Sequence, residues 1–115
     1  MPYMLLVVEP PDQRLGRTEA QGKAAYDGML QFGNDLKKRG LLLATESLTS
    51  EATRVEVRQG QTRFSDGPFA EAKELIGGFF LLDCRSREEA VRIAAECPAA
   101  QWCTIEVRAL GPCYE

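Results

Sequence analysis

The stretch IGGFFLLD, residues 76–83, decides the fold because it is typical of a β-strand that is apolar on both faces. Successive side chains of a strand point to opposite faces of the sheet, so the run from Phe79 to Leu82 places apolar groups on each side. A strand with helices on one side and water on the other would instead alternate apolar and polar residues. We therefore predict a central strand that is covered on both faces.

A second segment, Tyr3 to Val8, has the same character and is predicted to be the other central strand. Helices are predicted over 18–39 and 86–97, and each opens with a capping box. Further strands are predicted over 41–44 and 102–108, and a hairpin over 53–64 has its turn at Gln59-Gly60. This order indicates an α+β, ferredoxin-like split βαβ antiparallel sheet with an inserted β-hairpin and both helices on one face. We expect a single domain over residues 1–115.

The second face of this sheet predicts a partner subunit. The apolar side chains of the two central strands would face water there, and a large exposed apolar patch marks an interaction surface. The simplest cover is another copy of the chain, which gives a homodimer with the form of a dimeric α/β barrel. Trp102 is predicted to share this face with Thr104 and Glu106, where it would anchor the dimer interface or line a pocket.

Composition excludes several classes of function. The formal net charge is -3, and no basic face interleaved with aromatic residues is found, so the footprint of a nucleic-acid-binding protein is missing. No apolar segment approaches the ~20 residues of a membrane span. We therefore expect a cytoplasmic protein that binds neither nucleic acid nor membrane.

The cysteines are expected to be free thiols. Cys84, Cys97 and Cys103 fall on core positions of the predicted elements, Cys113 lies in the tail, and no two are spaced as C-x-x-C. The chain has no histidine, which excludes the usual zinc spacings, Cys-His catalysis and the Ser-His-Asp triad. The sequence thus indicates no metal site and no cofactor.

The tetrapeptide Asp66-Gly67-Pro68-Phe69 has two interpretations. It is a complete turn motif, because aspartate accepts local backbone hydrogen bonds, glycine adopts unusual dihedrals and proline fixes its own φ. Alternatively, the turn aims Asp66 at the open face of the sheet, with Glu71 and Lys73 nearby on one face of an extended segment. Asp66 would then anchor a polar ligand or act as a general base in catalysis.

Five segments spread over almost the entire chain form a recognisable pattern: Tyr3-Met4-Leu5-Leu6, Glu46-Ser47-Leu48, Asp66-Gly67-Pro68-Phe69-Ala70-Glu71-x-Lys73-Glu74, Ile76-Gly77-Gly78-Phe79-Phe80 and Ile105-Glu106-Val107-Arg108. Together they resemble the DGPF group of the YCII-related family. The resemblance implies the dimeric α/β barrel form of the ferredoxin-like fold but no known reaction. The His-Asp pair of the YCII branch has no counterpart here. Glu46 belongs to the pattern and becomes a candidate ligand-binding residue beside the same cleft, although a solvated loop carboxylate is the simpler interpretation.

Two hypotheses of function remain open. The first is a small-molecule binder or enzyme whose ligand-binding residues are Glu46, Asp66, Glu71 and Lys73, with Asp66 as the principal polar group. The second is a non-enzymatic regulatory module that binds a protein partner, because the resemblance implies genes near those of sigma factors. The first requires these groups to converge in a buried cleft, whereas the second leaves them in solvent.

Overall fold

The fold is described by a computed structural model that covers residues 2–67, 69 and 72–114. The strands are β1 (Pro2–Glu9), β2 (Leu42–Ser47), β3 (Thr53–Arg58), β4 (Gln61–Asp66), β5 (Leu75–Asp83) and β6 (Thr104–Ala109), and the helices are α1 (Glu19–Lys38) and α2 (Arg87–Glu96). Short 3-10 turns occupy Arg14–Gly16 and Pro98–Gln101. The predicted α+β, ferredoxin-like fold is confirmed.

The main sheet is antiparallel, with the strand order β2-β5-β1-β6. The two segments that the sequence marks as apolar on both faces, β1 and β5, are its central strands, as predicted. Leu5 of β1 lies opposite Phe80 on one side and opposite Val107 on the other. This register puts the odd-numbered residues of β1 and the even-numbered residues of β5 on the face that the helices cover.

The core lies between this face and the two helices. Leu5, Leu82 and Leu36 of α1 have no exposed surface, and Ile93 of α2 is almost as deeply buried. The rings of Phe32 and Phe80 meet edge to face, with their centroids 5.1 Å apart. Large apolar side chains from four elements therefore meet at one end of the helical layer.

Helix α1 is buried along only half of its length. Its buried residues are Phe32, Gly33 and Leu36, all in the C-terminal half. The N-terminal half begins with the predicted capping box of Thr18 and Gln21. Its small residues Gly22 and Ala25 face the sheet and leave space between the helix and the sheet.

Helix α2 differs slightly from its prediction. The Ser86 hydroxyl accepts a hydrogen bond from the backbone N–H of Glu89, as expected. The Glu89 carboxylate, however, accepts from the N–H of Arg85 and not from that of Ser86, so the capping box is not reciprocal. The serine still satisfies one of the unpaired N–H groups at the start of the helix.

The inserted hairpin is a separate two-stranded sheet of β3 and β4. Every residue of both strands is exposed. The turn has φ angles of 52° at Gln59 and 77° at Gly60, as a two-residue hairpin with the predicted glycine requires. The hairpin therefore projects from the molecule as an arm.

The predicted strand position and face of Trp102 are wrong, although the residue does line a pocket. β6 begins at Thr104, and the Trp102 N–H donates to the carbonyl of Ala99 at the end of a 3-10 turn. Pro98 ends α2 and starts this turn, so the alternation of β6 does not extend back to Trp102. The indole lies on the side of the helices, whereas Thr104 and Glu106 do share a face with Val8 and Leu6.

The open face of the main sheet is apolar at its centre. Met4, Leu6, Phe79 and Leu81 project there and are half-buried in the single chain. The homodimer stays a prediction. Within the described part of the chain, neither helix is long and apolar enough to cross a bilayer.

Candidate functional site

A cavity of about 670 Å³ lies between the N-terminal half of α1 and the helix-facing side of the sheet. Its volume falls within the range typical of small-molecule sites. Val7, Met29, Phe80 and Trp102 are among the apolar residues that line it. The position follows from α1, whose small residues Gly22 and Ala25 leave space between that half of the helix and the sheet.

One end of the cavity carries an ion pair between a buried carboxylate and a partly exposed arginine. Glu9, the last residue of β1, is only 4% exposed. Its Oε1 lies 2.7 Å from Nε of Arg14, which follows on the segment between β1 and α1. Arg14 also donates from Nη1 to the carbonyl of Leu48 at 2.7 Å and from Nη2 to that of Gly77 at 3.2 Å. The guanidinium thus links three parts of the chain around the Glu9 carboxylate.

Gly77 creates the space for this ion pair. The register of β1 with β5 shifts between Val7 and Val8, which leaves Gly77 in a bulge. A Cβ atom at this position would lie 2.8 Å from Cδ of Glu9 and 2.9 Å from Nη2 of Arg14. At Gly78 it would lie 2.9 Å from the backbone oxygen of Glu46. The two glycines therefore have a structural reason in a bulge and a close backbone approach.

Gln13 fastens the segment before α1 to the start of β6. Its Nε2 donates to the carbonyl of Trp102 at 2.6 Å, and its Oε1 accepts from Sγ of Cys103 at 2.9 Å. The guanidinium of Arg17 lies 5.8 Å from the centre of the Trp102 ring. These contacts close the side of the cavity between α1 and the 3-10 turn.

Cys103 borders the cavity, but its environment does not activate the thiol as a nucleophile. Burial raises the pKa of its thiol above 9.0, the ordinary value, so the thiolate is scarce at neutral pH. Burial also raises the pKa of Cys84 and of Cys97. Both of these side chains lie in the core, as predicted.

Of the four residues predicted from the sequence, the three that the structure describes do not meet in this cavity. Glu46, near the end of β2, borders the cavity and is exposed to solvent. Asp66 is exposed at the end of β4 and accepts a hydrogen bond from the Thr53 hydroxyl at 2.7 Å. Lys73 is exposed, and neither it nor Asp66 borders the cavity. Glu71 lies outside the described residues, so the ligand site around Asp66 stays a prediction.

Two residues of the Asp66 turn have structural roles. The Gly67 N–H donates to the carbonyl of Ala52 at 2.6 Å, which extends the hairpin pairing by one step. A Cβ atom on Gly67 would lie 2.8 Å from the ring of Phe69. The guanidinium of Arg54 in turn lies 3.7 Å from the centre of that ring. Pro68 lies outside the described residues.

Sequence reasoning missed the Glu9–Arg14 pair. Glu9 was visible only as the charge that ends the apolar run of β1, next to two prolines. The alternation of side chains along the strand could have revealed it, because residues 5, 7 and 9 of one strand point to the same face. A carboxylate in phase with Leu5 and Val7 is expected to point toward the core.

Comparison with known proteins agrees with the fold and assigns no activity. The family model of the YCII-related domain matches residues 1–113. An uncharacterised protein of Rhizobium meliloti (strain 1021) is 42% identical to the chain over 65 residues, which is 55% of this chain and 52% of that protein. The chain thus spans about half the length of the relative it matches. The extent of the family match means that the chain belongs to the YCII-related domain family.

Proposed function

We propose that the protein binds a small molecule in the cavity between α1 and the main sheet. The observation that carries the proposal is a space of about 670 Å³ with apolar walls that ends on the Glu9–Arg14 pair, whose carboxylate is buried. Small-molecule sites typically combine apolar walls with a few fixed polar groups. The walls would hold the body of the ligand, and the charged end would orient it.

The energetic cost of this arrangement supports a functional role. An unfilled pocket with apolar walls leaves apolar surface unburied. Burial of a carboxylate has a desolvation cost, which attraction to a partly exposed arginine often fails to offset. Glu9, at 4% exposed, bears this cost at the end of the cavity, whereas the Arg14 side chain is 34% exposed. A bound molecule that contacts both the walls and the ion pair accounts for both features.

A cavity-filling substitution with a matched control tests the proposal. A Cβ atom at Gly22 meets no neighbour within 4 Å, and this glycine borders the cavity. Gly28 on the same helix also has open space but does not border the cavity. Both Gly22→Leu and Gly28→Leu raise the helix propensity of α1 by a similar amount.

The measurement is a thermal-shift screen of metabolites against the parent protein and both variants. A ligand that binds the native state raises the apparent melting temperature. We expect hits that stabilise the parent and Gly28→Leu but have no effect on Gly22→Leu. Hits that act equally on all three proteins would reject the cavity as their site.

The second candidate function is a non-enzymatic module that binds a protein partner. The observation in its favour is the projecting hairpin, where Val55, Val57 and Phe64 are 58%, 58% and 71% exposed. Val55 lies directly opposite Phe64, so these residues form an apolar strip on one face of the arm. Two results would favour this function. No metabolite would raise the melting temperature of the protein, and the hairpin arm would protect a protein partner from proteolysis.

We also propose a cytoplasmic location. No disulfide joins the four cysteines, all of which lie among the described residues, and Cys84 and Cys97 are buried in the core as thiols. Free thiols are the usual state in a reducing compartment. Fractionation of cells that express the full gene tests this location.

A further inference from the structure

We infer that the ligand of the helix-side cavity is an uncharged molecule that donates a hydrogen bond, from a hydroxyl or N–H group, to the carboxylate of Glu9. The inference deepens the proposed function and rests on it. Three observations lead to it, and they concern Glu9, Arg14 and the balance of charge around the cavity.

The first observation is an acceptor without a directed donor. Oε1 of Glu9 is buried, and no N–H or O–H group in the described part of the chain forms a hydrogen bond with it. Arg14 Nε is close, at 2.7 Å, but its N–H does not point at the oxygen. Buried polar atoms nearly always have a hydrogen-bond partner. Oε1 itself is covered by protein, but Glu9 borders the cavity, so a donor group on a ligand there would meet its carboxylate.

The second observation is that Arg14 is already engaged. Each of its three nitrogens lies near an oxygen, namely those of Glu9, Leu48 and Gly77. These contacts hold the guanidinium beside the carboxylate, so Arg14 is a positioning residue for Glu9. An anionic ligand at this end of the cavity would be repelled by the Glu9 carboxylate and would compete for a guanidinium that already contacts three oxygens.

The third observation is that the charges around the cavity cancel. The acidic residues that border it are Glu9, Glu19 and Glu46, and the basic residues are Arg14, Arg17 and Lys37. A site built for an anion or a cation usually shows an excess of the opposite sign. The balance here favours a neutral ligand with an apolar body against Met29, Phe80 and Trp102.

Three naphthalene derivatives of similar size distinguish a neutral donor, a neutral non-donor and an anion as the preferred ligand. At neutral pH, 2-naphthol is neutral and donates a hydrogen bond, 2-methoxynaphthalene is neutral and cannot donate, and 2-naphthoate is an anion. Their affinities for the full chain are measured by fluorescence titration. Because a hydrogen bond to a charged group is stronger than one between neutral groups, we expect 2-naphthol to bind at least about tenfold more tightly than either other probe.

Substitution of Glu9 assigns that preference to its carboxylate. Glu9→Gln should reduce the preference for 2-naphthol over 2-methoxynaphthalene to about threefold or less, because only a neutral acceptor remains. Glu56→Gln, on the exposed hairpin, should leave it unchanged. If Glu9→Gln does not fold because Arg14 is left unpaired, the double variant Glu9→Gln/Arg14→Gln removes both charges and carries the same expectation.

The outcomes separate this inference from the proposed function. Equal binding of 2-naphthol and 2-methoxynaphthalene, abolished in both cases by Gly22→Leu, would overturn the inference while the cavity remains the binding site. Tightest binding of 2-naphthoate would overturn it as well. Binding of no probe, or binding that Gly22→Leu does not affect, would reject the proposed site and the inference together.

Discussion

At the scale of single residues, Gly77 is the position on which the charged end of the cavity depends. An alanine there would place its Cβ 2.8 Å from Cδ of Glu9, so the ion pair or the β5 backbone must shift. Overpacking of this kind typically costs about 1–3 kcal/mol of unfolding free energy. We expect Gly77→Ala to lower stability by that amount in urea denaturation.

The control for this prediction is a glycine with open space. A Cβ atom at Gly28 meets nothing within 4 Å, and the residue lies inside α1. Gly28→Ala should therefore raise stability by about 0.8–1 kcal/mol through helix propensity alone. Equal effects of the two substitutions would contradict the account of the Gly77 bulge.

Asp66 offers a second test at this scale, which separates its structural role from its predicted ligand role. Its Oδ1 accepts from the Thr53 hydroxyl across the hairpin. Asp66→Ala and Thr53→Val should each cost no more than about 1 kcal/mol, and should couple in a double-mutant cycle. Asp66→Asn keeps an acceptor oxygen and should change stability little.

The ligand screen then decides the role of Asp66. If Asp66→Asn keeps the stability of the parent protein and binds every hit equally well, the role of Asp66 is limited to its hydrogen bond in the hairpin. Loss of binding without loss of stability would support the predicted site around Asp66. Thr53→Val is the matched control, because it removes the same hydrogen bond and keeps the carboxylate.

At the scale of elements, most of the fold could be predicted from the sequence because its signals are local. The Thr18–Gln21 capping box, the Gln59-Gly60 turn and the continuous apolar runs of β1 and β5 each depend on a few neighbouring residues. The structure confirms all of them. The sequence therefore contained the element order and the central strands.

The features that could not be predicted are set by contacts between distant elements. Trp102 leaves the predicted strand because Pro98 starts a 3-10 turn, and the apolar stripe of α1 is buried at Phe32 and Leu36 but lies beside a cavity at Ala25. The Glu9–Arg14 pair depends on a bulge in β5, which periodicity does not reveal. The candidate site around this pair was therefore missed, and Glu46, which the sequence associates with a cleft near Asp66, borders the helix-side cavity without Asp66 or Lys73.

At the scale of the whole molecule, the uncovered apolar face of the sheet predicts a dimer. Met4, Leu6, Phe79 and Leu81 form the centre of this face. We expect light scattering coupled to size exclusion to give twice the chain mass at micromolar concentration. Leu81→Glu should give a monomer, because a charge in the middle of a packed sheet interface would be buried without a partner.

The control for the dimer prediction is a similar change elsewhere on the surface. Val91 of α2 is 42% exposed and lies on the helical layer, away from the open face. Val91→Glu should therefore leave the oligomeric state unchanged. A parent protein that elutes as a monomer would contradict the predicted dimeric barrel.

The shape of the chain agrees with a projecting arm. Its radius of gyration is 16.0 Å, whereas about 13 Å is expected for a compact chain of 115 residues. The exposed β3–β4 hairpin extends beyond the layers that form the core. The cavity lies on the helical side of the sheet and the apolar face on the other, so the proposed ligand site and the predicted dimer interface lie on opposite sides of the same sheet.

The most direct test of the central claim is a crystal structure of the full chain soaked with a hit from the screen or with 2-naphthol. We predict electron density for the molecule between α1 and the sheet, against Trp102, with its donor atom about 2.7–3.2 Å from the carboxylate of Glu9. Density at the hairpin or on the open face of the sheet, with the cavity empty at saturating ligand, would contradict the account.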